Sequence, residues 1–183
     1  MRLLRSIVRK LACVIILVIL CLAGYNIALK HIYPLKYVDY IDTYTKEYDV
    51  SPTLVLAVIK IESGFDKDAR SPADAAGLMQ LTEETFYDVR KMVGDGEEYT
   101  FDGCWNDPEI NIKYGTKYLS FLLELYNNDK IAAIAAYNAG LSNVNGWMGN
   151  DGKLQTEEID FPETAAYVEK VLKAEKHYNS IYY

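Results

Sequence analysis

Leu11 to Leu29 is a run of nineteen residues without a charge, and it is apolar all round rather than on one face. Its length is close to the ~20 apolar residues that cross a bilayer core. After it the pattern changes, and apolar positions recur every three to four residues, which predicts helices that bury one face. Pro34 breaks the chain, and Lys36 to Tyr48 has helical spacing. Ser51-Pro52 predicts a helix start, with Ser as N-cap and Pro at the first helical position. The helix it opens, Thr53 to Glu62, sets Leu54, Ala57, Val58 and Ile61 on one face, and Gly64 ends it. Thr82-Glu83-Glu84 begins another, with acids in its first turn where the helix dipole favours them.

Asp107-Pro108 repeats the cap-plus-proline signal, and the helix it predicts runs to Tyr126 with Ile112, Gly115, Leu119 and Leu122 along its buried side. Asp129 or Asn128 caps Lys130 to Tyr137, which stops at Asn138 to Gly140. Asn143 to Trp147 predicts another turn or two, and Pro162 begins a last helix to about Tyr178, with Val168, Val171, Leu172 and Glu175 in register. Between these lie three segments rich in turn residues: Asp66 to Ala76, Val93 to Asp107, and a polar Gly149 to Phe161 expected to be mobile. There is no internal repeat. The expectation is mainly α: a single helical domain behind an N-terminal transmembrane helix. Its divisions are a basic stub and anchor at 1–30, a juxtamembrane segment at 31–43, and the domain at 44–183.

Charge sharpens this division. The first thirty residues hold five of the 19 basic side chains and none of the 26 acidic ones, which leaves the rest at 14 against 26, a net charge of −12. Four basic residues precede the apolar run, so the positive-inside rule puts the N-terminus in the cytoplasm and the acidic body outside. A cleaved signal peptide, and so a secreted form, is the competing reading, although Cys21-Leu22-Ala23 is a poor cleavage site. An acidic body is ill-suited to nucleic acid, whose phosphates call for Lys and Arg. It does not exclude a glycan, which is recognised by hydrogen bonds and flat apolar faces. The 16 tyrosines supply both, and serve a wet-edged helical core equally well. Cys104 is the single Cys of the body, His31 and His177 lie at its two ends, and no Cys/His spacing suits a metal. No cofactor or metal is expected.

Candidate chemistry begins at Glu62, which follows the apolar Val58, Ile59 and Ile61. An apolar, desolvated setting is what keeps a glutamic acid protonated near neutral pH, as a general acid must be. Glu62-Ser63 is followed by Gly77-Leu78-Met79-Gln80, by Ala136-Tyr137-Asn138-Ala139-Gly140, and by Phe161-Pro162-Glu163-Thr164-Ala165-Ala166-Tyr167-Val168. In order and spacing these four blocks resemble the catalytic domain of lytic transglycosylases of the soluble type, over roughly Tyr44 to Tyr178. That family belongs to the lysozyme-like superfamily and cuts the glycan strands of peptidoglycan.

The resemblance implies roles. Glu62 matches the single catalytic acid/base, and Ser63 the serine that touches the N-acetyl group of muramic acid. Met79 and Gln80 match groove residues, Tyr137 the tyrosine that positions the glutamate, and Asn138 a sugar contact. Glu163 and Tyr167 match residues lining the opposite wall. The resemblance further implies cleavage between N-acetylmuramic acid and N-acetylglucosamine, with internal attack by the muramoyl 6-hydroxyl to leave a 1,6-anhydro end. Hydrolysis, as in a lysozyme-like muramidase, is the near alternative, and an anchored protein that binds glycan without cutting it the distant one. Asp66, Asp68 and Asp74 read as turn formers rather than a second catalytic carboxylate. Ala165-Ala166 departs from the family, which often carries an arginine there. The 93–107 segment, with Asp102 and Trp105, has no role the resemblance supplies. It either lengthens the groove or forms a surface loop. The partners expected are the glycan strands and the membrane, with room left for a cell-wall or secretion-machinery protein.

Overall fold

The computed structural model describes residues 2–149 and 152–183. Its order is α1 (Arg2–Ile32), α2 (Val38–Tyr48), α3 (Pro52–Glu62), α4 (Glu83–Val93), α5 (Phe101–Cys104), α6 (Pro108–Leu125), α7 (Lys130–Ala139), α8 (Leu141–Trp147), a 3₁₀ turn (Thr156–Glu158) and α9 (Pro162–Tyr182). Among the described residues the only extended pairings are the isolated bridges Arg70–Ala76 and Ala76–Leu81. The molecule is mainly helical, as the apolar spacing predicts.

The body is organised around α3. Every residue from Thr53 to Ile59 is buried, so this helix is covered on all sides, as expected of a helix in the middle of a core. Helices α2 and α9 pack on it, α6 packs on α2 and α7, α7 packs on α9, and all share one apolar cluster. Leu54, Leu56, Ile59, Leu78, Ile112 and Leu119 are among the fully buried side chains, each contributing about 1.5–3 kcal/mol by leaving water. A second, smaller cluster of Ala76, Leu81, Phe86, Val89, Phe101 and Tyr114 joins α4 and α5 to the flank of α6.

The caps explain where the helices begin. Asp107 accepts from the backbone N–H groups of Glu109 and Ile110, and Asp129 from those of Ile131 and Ala132, so Asp129 rather than Asn128 starts α7. Thr82 caps α4 through Thr85 N–H. Ser51 stands at the N-cap of α3 without a side-chain cap bond, and its hydroxyl pairs with that of Thr53 instead.

Two of the irregular segments are more ordered than their composition suggests. The 93–107 segment contains α5 and buries Phe101. Its Asp95 pairs with Lys113 at 2.8 Å and accepts from the Tyr114 hydroxyl at 2.9 Å. In the 149–161 segment, of which 150–151 lie outside the described residues, Leu154 and Ile159 are buried and Leu154 N–H binds the Asp129 carboxylate. Two isolated apolar residues thus pin part of a stretch that reads as polar. Helix α9 also runs four residues beyond Tyr178. Over 9–32, helix α1 buries none of its described side chains, and by length and composition it could cross a membrane.

Candidate active site

Glu62 is the last residue of α3, delivered from the core to its rim. Its side chain is largely buried, and Tyr167 of α9 donates its hydroxyl to Glu62 Oε1 at 2.5 Å. Burial pushes the carboxyl up from 4.5 to about 7, against the opposing pull of the Tyr167 hydrogen bond, which favours the ionised form. Tyr167 and Tyr137 are both held well above the ordinary tyrosine range, chiefly by burial and then by the nearby Glu62 charge. Both therefore remain neutral O–H donors at any working pH. One carboxyl poised at neutrality and held by a single fixed donor, Tyr167, can give a proton and take one back.

Below the carboxyl, the 77–80 turn is pinned from three directions. Ser63 Oγ lies 2.8 Å from the Leu78 carbonyl and accepts from Phe65 N–H. Tyr137 donates to the Met79 carbonyl at 2.8 Å. Asn111 of α6 accepts from Met79 N–H at 2.7 Å and donates to the carbonyls of Ala76 and Trp105. Gly77 is required here: its φ is +79°, and a Cβ would stand 2.2 Å from Asn111 Nδ2 and 2.3 Å from the Trp105 carbonyl. Gln80, at φ 48°, returns its amide to the carbonyls of Gly77 and Ala69 and so closes the turn.

The expected site residues thus take up different places. Glu62, Tyr137 and Tyr167 converge, but it is Tyr167 that grips the glutamate, while Tyr137 holds the Met79 backbone. Met79 does not line a groove with its side chain, which is fully buried against α6 at Gly115. Asn138 is exposed at the end of α7 and accepts from the Thr164 hydroxyl at 2.8 Å, which ties α7 to the first turn of α9. Glu163, on that same turn, is exposed. Asn111 escaped the sequence reading. Its signal was a polar residue four before Gly115, in register with the face that buries Leu119. Asp66 accepts from Asp68 N–H, and Asp68 pairs with Lys67 and accepts from Asn106 of the 93–107 segment, so both carboxylates are engaged.

Residues 39–160 match the family model described as the transglycosylase SLT domain. The chain belongs to this family. The match takes in Glu62, the 77–80 turn and the Tyr137 block, and ends before Tyr167. The soluble lytic murein transglycosylase of Escherichia coli (strain K12) is 35% identical over 151 residues, which cover 80% of this chain and 23% of that protein. Membrane-bound lytic murein transglycosylase C of Photorhabdus laumondii is 36% identical over 137 residues, 68% of this chain and 37% of that protein. The crystal structure of the 70 kDa soluble lytic transglycosylase of Escherichia coli superposes with a TM-score of 0.77 at 34% identity, over 83% of this chain and 25% of that one. An inactive mutant of the Pseudomonas aeruginosa lytic transglycosylase gives 0.73 at 29% identity, over 81% and 25%. The SLT-family chain therefore spans about a quarter of the length of its soluble relatives and has the lysozyme-like helical fold they share.

Proposed function

We propose that this chain is a membrane-anchored lytic transglycosylase that cleaves the β-1,4 bond between N-acetylmuramic acid and N-acetylglucosamine in peptidoglycan. The observation that carries the reading is a single sheltered carboxyl, Glu62, poised near neutral pH and held by Tyr167. Protonated Glu62 gives its proton to the glycosidic oxygen as the C1–O bond breaks and N-acetylglucosamine leaves. The N-acetyl carbonyl of the muramoyl sugar supports the electron-poor C1. The resulting Glu62 carboxylate then takes the proton of the 6-hydroxyl while O6 bonds to C1, which closes the 1,6-anhydro ring and restores the protonated acid. The internal hydroxyl has a large effective concentration, so it outcompetes water in a shielded groove.

Ser63, Asn111 and Tyr137 act by fixing the 77–80 turn beneath the carboxyl, and Met79 takes part through its backbone. Gln80, Asn138 and Glu163 are the polar groups assigned to the sugar chain. Helix α1 is the anchor, with the acidic body outside the cytoplasmic membrane.

Mass spectrometry of digested sacculi tests the chemistry. Anhydro-ended muropeptides from the wild type, and none from a folded Glu62→Gln variant, are the expected result. Reducing ends alone would make the enzyme a hydrolytic muramidase.

A further inference from the structure

The last turn of α9 does not end free in solvent. Tyr182 donates to the Tyr33 carbonyl at 2.7 Å, and Tyr178 to the Pro34 carbonyl at 3.2 Å. The Tyr33 ring stacks on His177 at 4.7 Å and meets Tyr178 edge-on at 5.5 Å. Lys30 lies over the Tyr182 ring at 5.9 Å. Tyr178 is fully buried, so the clamp is rooted in the core. The segment that leaves α1 is therefore bonded to α9 on both backbone and side chains, where a flexible leash would show neither.

The surroundings of this joint fit the lipid headgroup layer. The outward apolar surface of α1 reaches the joint directly; Tyr25, five residues before Lys30 on α1, and Tyr183, next to Tyr182 in the chain, are exposed at 61% and 72%. Lys30, over the Tyr182 ring, and His177, against the Tyr33 ring, sit at the joint itself, and His31 adjoins Lys30 in the chain. Tyrosines with apolar bodies and wet tips gather at membrane interfaces, and basic side chains there are drawn to anionic headgroups.

We propose that the Lys30–Pro34 joint clamped by Tyr178 and Tyr182 is a rigid foot that seats the catalytic domain on the bilayer, with α9 as a strut between membrane and groove. Fifteen residues separate Tyr182 from Tyr167, so the Glu62 site is held no more than about 22 Å from the foot along the helix. Such an enzyme works on glycan lying next to the membrane and cannot follow strands deeper into the wall. The inference rests on the anchored reading of α1, and not on the chemistry at Glu62.

The full chain, reconstituted in phosphatidylethanolamine–phosphatidylglycerol vesicles, tests it. A nitroxide is placed at Lys170→Cys, with Cys13, Cys21 and Cys104 replaced by serine, and is relaxed by a gadolinium chelate on the lipid headgroups. Lys170 stands about 18 Å along α9 from Tyr182, so strong and uniform relaxation is expected. Eight Gly/Ser residues inserted between Ile32 and Tyr33 add about 16 Å of flexible reach and should weaken it roughly tenfold or more. Tyr182→Ala should weaken it in the same direction. Equal relaxation in the wild type and the linker variant would overturn the foot, as would a chain that fails to float with the vesicles. Cleavage of soluble glycan strands should be the same in all these proteins, which keeps failure of the foot distinct from failure of the catalytic reading.

Discussion

Tyr167→Phe removes one hydroxyl and leaves the ring that fills the space between α9 and α3. What is lost is the 2.5 Å bond to Glu62, the one interaction that draws the carboxyl down against its burial. Burial holds the wild-type carboxyl at about 7, and the proposed mechanism starts from its protonated form, so kcat/KM should fall as pH rises through that value. Without the donor the ionised form loses support, and the folded-state value rises further. A hydrogen bond to a charged group is worth about 1.5–3 kcal/mol, and about 1.4 kcal/mol corresponds to one pH unit, so the descending limb should move up by one to two units. The assay is the pH profile of kcat/KM on purified glycan strands, with circular dichroism confirming the fold at each pH. The variant should also be slower at its optimum, since the acid is less firmly aimed. A limb that stays where it was, or moves to lower pH, would refute the reasoning.

Glu62→Gln should stabilise the protein at alkaline pH. The folded-state value lies above the unfolded one, so below pH 4.5 both states are protonated and the variant gains nothing, while from 4.5 to about 7 the wild type loses stability as folding opposes ionisation. The full difference, about 3 kcal/mol above pH 7, corresponds to roughly 6–12 °C in Tm, and calorimetry at pH 4 and pH 8 would detect its absence. Asn111→Ala strands three backbone groups of the 77–80 turn and its neighbours, and should cost about 3 kcal/mol or more in a urea melt together with glycan cleavage. Gly115→Ala puts a methyl 2.3 Å from Met79 Sδ and should lower stability by about 1–3 kcal/mol; an unchanged melt would show that Met79 relocates freely.

Much of this fold is legible because its boundaries are local chemistry. Asp107-Pro108, Asp129 and Pro162 each settle the backbone at their own position, and the helices start where they stand. Residues that act at long range were harder to read. Leu154 and Ile159 are two apolar side chains in a polar stretch, too sparse to show periodicity, yet Asp129 and the core capture them. At the site, the Glu62 setting could be read from Val58, Ile59 and Ile61. The division of labour between the tyrosines could not, because Tyr137 and Tyr167 come from different helices and differ only in which oxygen each reaches. Met79 misled for the opposite reason: its position in the block is right, but Gly115 opens a slot that takes its side chain inward.

The central claim is that one carboxyl keeps its proton near neutrality because of where α3 ends. Carbon-13 NMR of the full chain labelled at glutamate δ-carbons, with Glu62 assigned by difference from Glu62→Gln, measures this directly. The account predicts a midpoint near 7 for that signal. A midpoint near the 4.5 of a solvated glutamate would contradict it.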